Sequence, residues 1–169
     1  MIAVSLFAIG YHQLNQRASR MRIANNMFID QGIYANRELM KGIDFSKPVS
    51  IIVIPKDTTV IQYQVESAPQ GNFYAMEGSL PNELGISDEG YDYETKKVVR
   101  KELRYYKTTT DVKVLCSYAA PVIDNWSTPE IETQRNGSNV QYFTTCKRPC
   151  FKLIGRTYNY ETETETPRR

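Results

Sequence analysis

A single histidine, His12, stands among 169 residues, and that scarcity excludes a good deal of chemistry. A histidine pair for acid–base cleavage of RNA cannot exist within the chain, and a Ser-His-Asp triad or a His-dependent nuclease is hard to assemble. Cysteine is sparse too: Cys116, Cys146 and Cys150 are an odd, small set, not a disulfide framework. Cys146 and Cys150 can close one short bridge or stay apart; as half of a zinc site they lack the remaining ligands. No run reaches the roughly 20 apolar residues of a membrane-spanning helix. The opening MIAVSLFAIGYHQLNQR has an apolar stretch without a basic n-region or an A-x-A-like cleavage site, so it reads as helix rather than as a targeting signal. There is no phosphate-cradling P-loop, no GxGxxG and no HExxH. The acidic residues cluster in SDEGYDYE and in the tail, where solvated charge is the simpler reading.

What is abundant is tyrosine, with 12 in a chain that is 41% hydrophobic and 24% charged. That balance is globular. Lys+Arg 21 against Asp+Glu 19 gives a net charge of +2, too little by itself to imply a nucleic-acid partner, which calls for a clustered basic surface. Residues 1 to 42 carry apolar positions at helical spacing (Leu6, Ile9, Leu14, Met21, Met27, Phe28, Leu39) with Arg17, Arg20 and Arg22 between them, and Gly32 and Gly42 as breaks. Beyond Pro48 the chain turns extended. VSIIVIP reads as a buried β-branched strand, closed by the turn PKDT. TVIQYQV alternates, so Gln62 and Gln64 share one face. SLPNELGIS reads as one helical turn with Ser79 as cap and Gly85 as stop. Residues 86 to 97 read as acidic loop, and KKVVRKELRYYKT and TDVKVLCSY as strands joined by a turn. AAPVIDNWSTPEIETQRNGSNVQYFTT reads as a long polar loop running into a last strand. The predicted fold class is α+β: N-terminal helices over 1–45, a compact β-rich domain with a small twisted mixed sheet over 46–157, and a disordered tail over 158–169.

One class of reaction survives the exclusions. A glycosidic bond to a cationic leaving group, such as nicotinamide on ribose, breaks with neutralisation of that group and needs no general acid. Its transition state resembles an oxocarbenium ion, so positioning, stacking and polar side chains can carry the work. Amides, tyrosines and one tryptophan suit that task.

The ordered series QYQ…APQGNFYA…LGIS, LCSYAAPVIDNWS and NGSNVQYF resembles the C-terminal toxin domains of bacterial polymorphic toxins, of the contact-dependent inhibition and Rhs types. More distantly it is similar to the tuberculosis necrotizing toxin group of NAD(P)+ glycohydrolases. The resemblance covers Ile43 to Thr145. It implies hydrolysis of NAD+ or NADP+ to nicotinamide and ADP-ribose (phosphate), with the dinucleotide as substrate and no cofactor or metal. It also implies a cognate immunity protein as partner, no membrane span, no nucleic acid, and delivery as part of a larger secreted or surface toxin that acts in a target-cell cytoplasm. By position, Gln141 matches the glutamine that orients the ribose or nicotinamide side; Gln64 and Asp124 join it as catalytic candidates, Asp124 steadying the cation. Gln62, Gly71, Asn72, Phe73 and Tyr74 form the wall beside the dinucleotide, and Trp126 and Ser127 match a Trp-containing loop. The sequence departs from the pattern in having one glycine in Asn136-Gly137-Ser138. It also has Gln62 or Gln64 where an arginine is expected, which leaves the pyrophosphate contact to Arg100, Lys101 or Arg104, with Arg104 assigned.

Each residue also has a plain structural reading: Trp126 as packing, Gln141 as an outward strand residue, Asp124 as an Asx-type cap. Two other functions compete. A nuclease would use Lys96, Lys97, Arg100, Lys101, Arg104, Lys107, Lys147 and Arg148 as a basic strip beside stacking tyrosines. A binding module would use only the tyrosine-rich sheet face.

Overall fold

The computed structural model describes residues 2–124 and 133–161, and side chains over 12–121 and 136–161. Helix α1 (Ile2–Asp30) is followed by the short α2 (Arg37–Lys41). Eleven strands follow: β1 (Ser50–Ile54), β2 (Thr59–Gln64), β3 (Phe73–Met76), β4 (Glu89–Asp92), β5 (Lys97–Arg100), β6 (Glu102–Thr108), β7 (Val112–Tyr118), β8 (Val122–Asp124), β9 (Thr133–Arg135), β10 (Val140–Phe143) and β11 (Phe151–Thr157). Seven form one sheet in the order β1-β7-β10-β3-β2-β6-β11, while β4-β5 and β8-β9 are separate hairpins. The α+β class is as expected; every pairing among these strands is antiparallel, where a mixed sheet was anticipated.

The connections dictate the shape of the sheet. β1 and β2 are four places apart in the order, as are β6 and β7, which in a flat sheet is about 19 Å. The four steps from Thr108 to Val112 reach about 14 Å at full extension. A flat sheet is therefore excluded, and the sheet must curl so that its two ends approach. Inside the curl lie Ile54, Val60, Tyr74, Tyr106, Val112, Val114 and Phe151, all buried. Tyr74 stacks on Phe151 at 4.1 Å and meets Tyr106 edge-on at 5.8 Å, the two geometries that aromatic quadrupoles favour.

Thr108 ties the two crossing turns together. Its Oγ1 donates to the carbonyl of Pro55 (2.7 Å) and accepts from the Thr58 amide (2.8 Å). Its own amide and carbonyl pair with Thr58 and Asp57 at 2.9 Å each.

On the outer face, paired residues stand side by side in rows across the sheet. Leu115, Phe143 and Phe73 form one row. It is covered by the last turns of α1, where Ala24, Met27 and Phe28 present one buried stripe at helical spacing. Phe28 packs edge-on against Phe143 at 4.7 Å. The next row runs Ser117, Gln141, Ala75, Ile61, Tyr105. Ile61, Tyr63 and Leu103 are covered by Leu84, Ile86 and Tyr160.

Several sequence expectations change here. VSIIVIP is an edge strand rather than a buried one: Ile51 is 39% and Val53 58% exposed, because β1 pairs with β7 alone and its outer face is uncovered. Ser79 does not cap the helical turn; the turn is 3₁₀ over Asn82–Leu84, entered from Pro81 and stopped at Gly85 as expected. Ser79 is buried, and its hydroxyl accepts from the Asn139 side chain at 3.0 Å. The 86–97 loop contains β4, KKVVRKELRYYKT divides into β5 and β6, and the long polar loop carries the β8-β9 hairpin.

Thr108→Val keeps the volume and removes the hydroxyl, leaving the half-buried Thr58 amide without its acceptor. The expected loss is about 1–3 kcal/mol, read as a lower urea midpoint at an unchanged m-value.

Candidate active site

Between the α1-covered row and the 3₁₀ segment, the sheet carries its smallest outer-face side chains, Ala75 and Ser117. The uncovered space there is a cavity of about 480 Å³, within the range of ligand pockets, roughly 300–1,000 Å³. The sheet supplies the floor, Leu39 and Gly42 at the end of α2 form one wall, and Leu84 and Ile86 form another. The turn after β9 braces that second wall: Gly137 donates to the Asn82 carbonyl at 2.9 Å, and Asn139 to that of Glu83 at 3.0 Å. Gly137 has φ +65°, and a Cβ there would lie 2.4 Å from the Ala120 carbonyl oxygen. Only glycine fits at this position.

Of the residues singled out in the sequence, Gln62, Gln64, Gly71, Asn72, Phe73, Tyr74 and Gln141 all line this one cavity. Their roles in it differ. β2 and β3 pair only at Val60↔Met76 and Ile61↔Ala75; beyond that point the Gln62 amide replaces the missing ladder. Its Nε2 donates to the carbonyls of Gly71 and Phe73, both at 2.8 Å, and its Oε1 accepts the Gly71 amide at 3.0 Å. Both Nε2 hydrogens are thereby spent on holding the strap 65–72. Gln64 comes so close to that strap that a Cβ on Gly71 would lie 2.6 Å from its Nε2.

Gln141 is buried at the head of the small row. Its Nε2 donates to the Gly42 carbonyl (3.0 Å) and to Ser117 Oγ (3.2 Å). With both amide hydrogens engaged, the carbonyl oxygen is the group it can offer a ligand. The Asn72 carbonyl accepts the Thr144 amide at 3.0 Å, and its side-chain Oδ1 accepts from the Lys147 ammonium. Phe73 packs edge-on against Phe143 at 5.1 Å. Tyr74 turns its ring into the inner core, and its hydroxyl accepts from Gln70 Nε2 at 2.6 Å. Burial pushes its phenol well above the usual tyrosine range, so it is neutral and structural at physiological pH. Tyr63, raised by the same cause, donates to the Ser79 carbonyl at 2.6 Å.

Arg104 departs from the group. It is buried, paired through Nε with Glu102 at 2.7 Å, and its Nη2 donates to the carbonyls of Val65, Glu66 and Ala68 at 2.9–3.1 Å. It lines a groove on the other side of the strap with Lys147, Arg148, Lys152 and Arg156. Its hydrogen bonds go to the backbone that leaves β2, so the pyrophosphate contact assigned to it is not where the structure places it. Lys101, in the link between β5 and β6, lines the cavity, as does Lys41 of α2. The basic strip of the nuclease reading is therefore split between the two sides of the strap, and Arg100 is laid over the ring of Tyr160 at 4.5 Å. Asp124 lies on β8 opposite Thr133; Trp126 and Ser127 lie outside the described residues.

The sequence reading missed the N-terminal contribution of Glu38, Leu39, Lys41 and Gly42, it missed Ser117, and it singled out Lys147 only for the nuclease strip. Glycine at 42 was legible as a helix stop, but its carbonyl's use by Gln141 bridges 99 positions and has no local signal. Cys146 and Cys150, left open from the sequence, are joined in a disulfide with Cα atoms 5.9 Å apart. Among the described residues no group of three or more His, Cys, Asp or Glu side chains is placed to hold a metal, and no helix is long and apolar enough to cross a membrane.

The chain is 35% identical over 148 residues to the NAD(P)(+) glycohydrolase toxin Tse6 of Pseudomonas aeruginosa, covering 86% of this chain and 34% of that protein's length. The solved structure of Tse6 in complex with Tsi6 superposes with a TM-score of 0.69 at 29% identity, over 83% of this chain and 98% of that one. The likeness thus takes in the N-terminal helical segment, which the motif resemblance from Ile43 to Thr145 did not. Residues 9–151 match the family described as bacterial toxin 46, and the chain belongs to that family.

Proposed function

We propose that this chain is an NAD(P)+ glycohydrolase toxin domain. What carries the reading is its 35% identity to an NAD(P)(+) glycohydrolase toxin over 86% of its length, together with the gathering of the amide and aromatic residues around one cavity. The bond broken joins the ribose anomeric carbon to the pyridinium nitrogen. Its electron pair goes to that nitrogen, which leaves as neutral nicotinamide; a water oxygen adds to the anomeric carbon and releases its proton. No group need protonate the leaving group, which suits a cavity without histidine.

Gln141 is assigned the central role. Its carbonyl oxygen, held by the two hydrogen bonds of its own Nε2, is a fixed partial negative charge for the cationic sugar. Gln64 and the strap residues Gly71 and Asn72 bind beside it, Phe73 backs the wall, and Asp124 is assigned to steady the cation or take the proton from water. Gln62 acts by shaping the strap. The chain spans about a third of its curated relative, 34%, and we assign it the role of the toxic domain of a larger delivered protein. It would act in a target-cell cytoplasm and be neutralised by a cognate immunity protein seated over the cavity. The Tse6 complex with Tsi6 supports that partner class.

Purified protein is expected to release nicotinamide from NAD+, NADP+ or both. Gln141→Ala should lower kcat by about 10²-fold, the scale of losing one preorganised polar group, with an unchanged far-UV spectrum. Absence of release by the folded parent would sink the assignment. Gly71→Ala forces the Gln64 amide aside and is expected to raise KM about tenfold, roughly 1.4 kcal/mol of binding, with a smaller effect on kcat. Initial-rate kinetics over a range of dinucleotide concentrations separates the two constants.

A further inference from the structure

The strap 65–72 is held on the cavity side by Gln62, and from behind by a lysine on a different part of the chain. Lys147 Nζ donates to the carbonyl of Gln70 (2.8 Å) and to Asn72 Oδ1, so one ammonium holds the backbone just before Gly71 and the side chain just after it. The lysine sits inside the ring closed by the Cys146–Cys150 disulfide. Its carbonyl accepts the amide of Cys150 (3.0 Å) within the ring and that of Phe151 (2.8 Å) just beyond it, and the Cys146 amide donates to Thr144 Oγ1, before the ring, at 3.1 Å. The position of the ammonium is therefore set by the bridged turn between β10 and β11. Desolvation holds the ammonium below the usual lysine range.

We propose that Lys147 is a positioning residue for the dinucleotide cavity, and that the Cys146–Cys150 disulfide controls it, so that substrate affinity depends on the oxidation state of this cysteine pair. The inference rests on the glycohydrolase reading of the cavity. A bridge across only four positions closes a very short loop, so its chain-entropy contribution to global stability is at the low end for a disulfide. Its effect is local: it keeps the ammonium in reach of Gln70 and Asn72. A dithiol supplies two electrons and two protons, leaving two thiols on the protein and becoming a cyclic disulfide itself. The turn then gains freedom, the charge-assisted hydrogen bonds to the strap weaken, and binding must order Asn72 anew. That cost falls on KM.

The test uses the whole chain and nicotinamide release from whichever dinucleotide the parent hydrolyses. Lys147→Met and the dithiol-reduced parent are each expected to show a KM about tenfold higher, the scale of one lost hydrogen bond to a charged group, with kcat within twofold of the oxidised parent. The melting temperature of the reduced parent should fall by several degrees, roughly 4–8 °C, leaving the chain folded at the assay temperature. Because the bridge acts through the lysine, the KM of Lys147→Met should not respond to dithiol, and Lys147→Arg, which retains donors, should recover part of the loss. Hydrogen exchange of the Gly71 amide in the reduced parent gives a readout that needs no variant, with faster exchange expected. A parental KM in folded Lys147→Met, an equal response of parent and Lys147→Met to dithiol, or unchanged Gly71 exchange on reduction would each overturn the proposal. A parent that releases no nicotinamide overturns the glycohydrolase reading instead.

Discussion

Two turns too short to cross a flat sheet are the constraint on which the rest of this structure depends. The β1–β2 and β6–β7 connections force strands four places apart to meet, and Thr108 fastens the meeting point with its hydroxyl and both backbone groups. Once the sheet curls, its inner face can be filled only by close-packed side chains, and Tyr74, Tyr106 and Phe151 fill it with stacked and edge-on rings. The outer face has no such closure. It is covered in two places, by α1 and by the 3₁₀ segment, and the cavity is what lies between them over the small side chains of one row.

Glutamine does two kinds of work around that cavity. Gln62 stands in for a missing stretch of β-ladder between β2 and β3, satisfying strap groups that would otherwise be buried without partners. Gln141 is anchored by the same chemistry, but its anchors sit on one side of the amide and leave its carbonyl oxygen for a ligand. Burying neutral amides avoids the desolvation cost that buried charges carry. Such groups suit a reaction whose leaving group is already cationic and whose transition state needs a preorganised dipole more than an acid.

Composition and spacing carried the reading a long way at the level of local elements. The α+β class, the alternation of β2, the glycine stops at Gly42 and Gly85, and the convergence of Gln62, Gln64, Gly71–Tyr74 and Gln141 were legible from pattern and from family likeness. β1 was misread because a β-branched run has the same composition whether one face or two are covered; its place at the edge depends on what packs beside it. Arg104 was misread because its sequence neighbourhood is basic and tyrosine-rich, while its actual partners are Glu102 and three carbonyls of the chain leaving β2.

By itself the sequence determined which chemistries were closed to this protein: one histidine and no phosphate-cradling motif exclude a histidine pair and P-loop chemistry and disfavour a Ser-His-Asp triad. It also determined where helices stop and which strand faces are apolar, because those follow from neighbours within a few residues. The tertiary structure alone decided which glutamine became scaffold and which faced the cavity, which basic residues lined it, and that a lysine inside a cysteine-bridged turn would brace its wall. Those outcomes depend on contacts between residues tens of positions apart, such as Gln141 with Gly42 and Lys147 with Asn72, whose partners are chosen by the curl of the sheet.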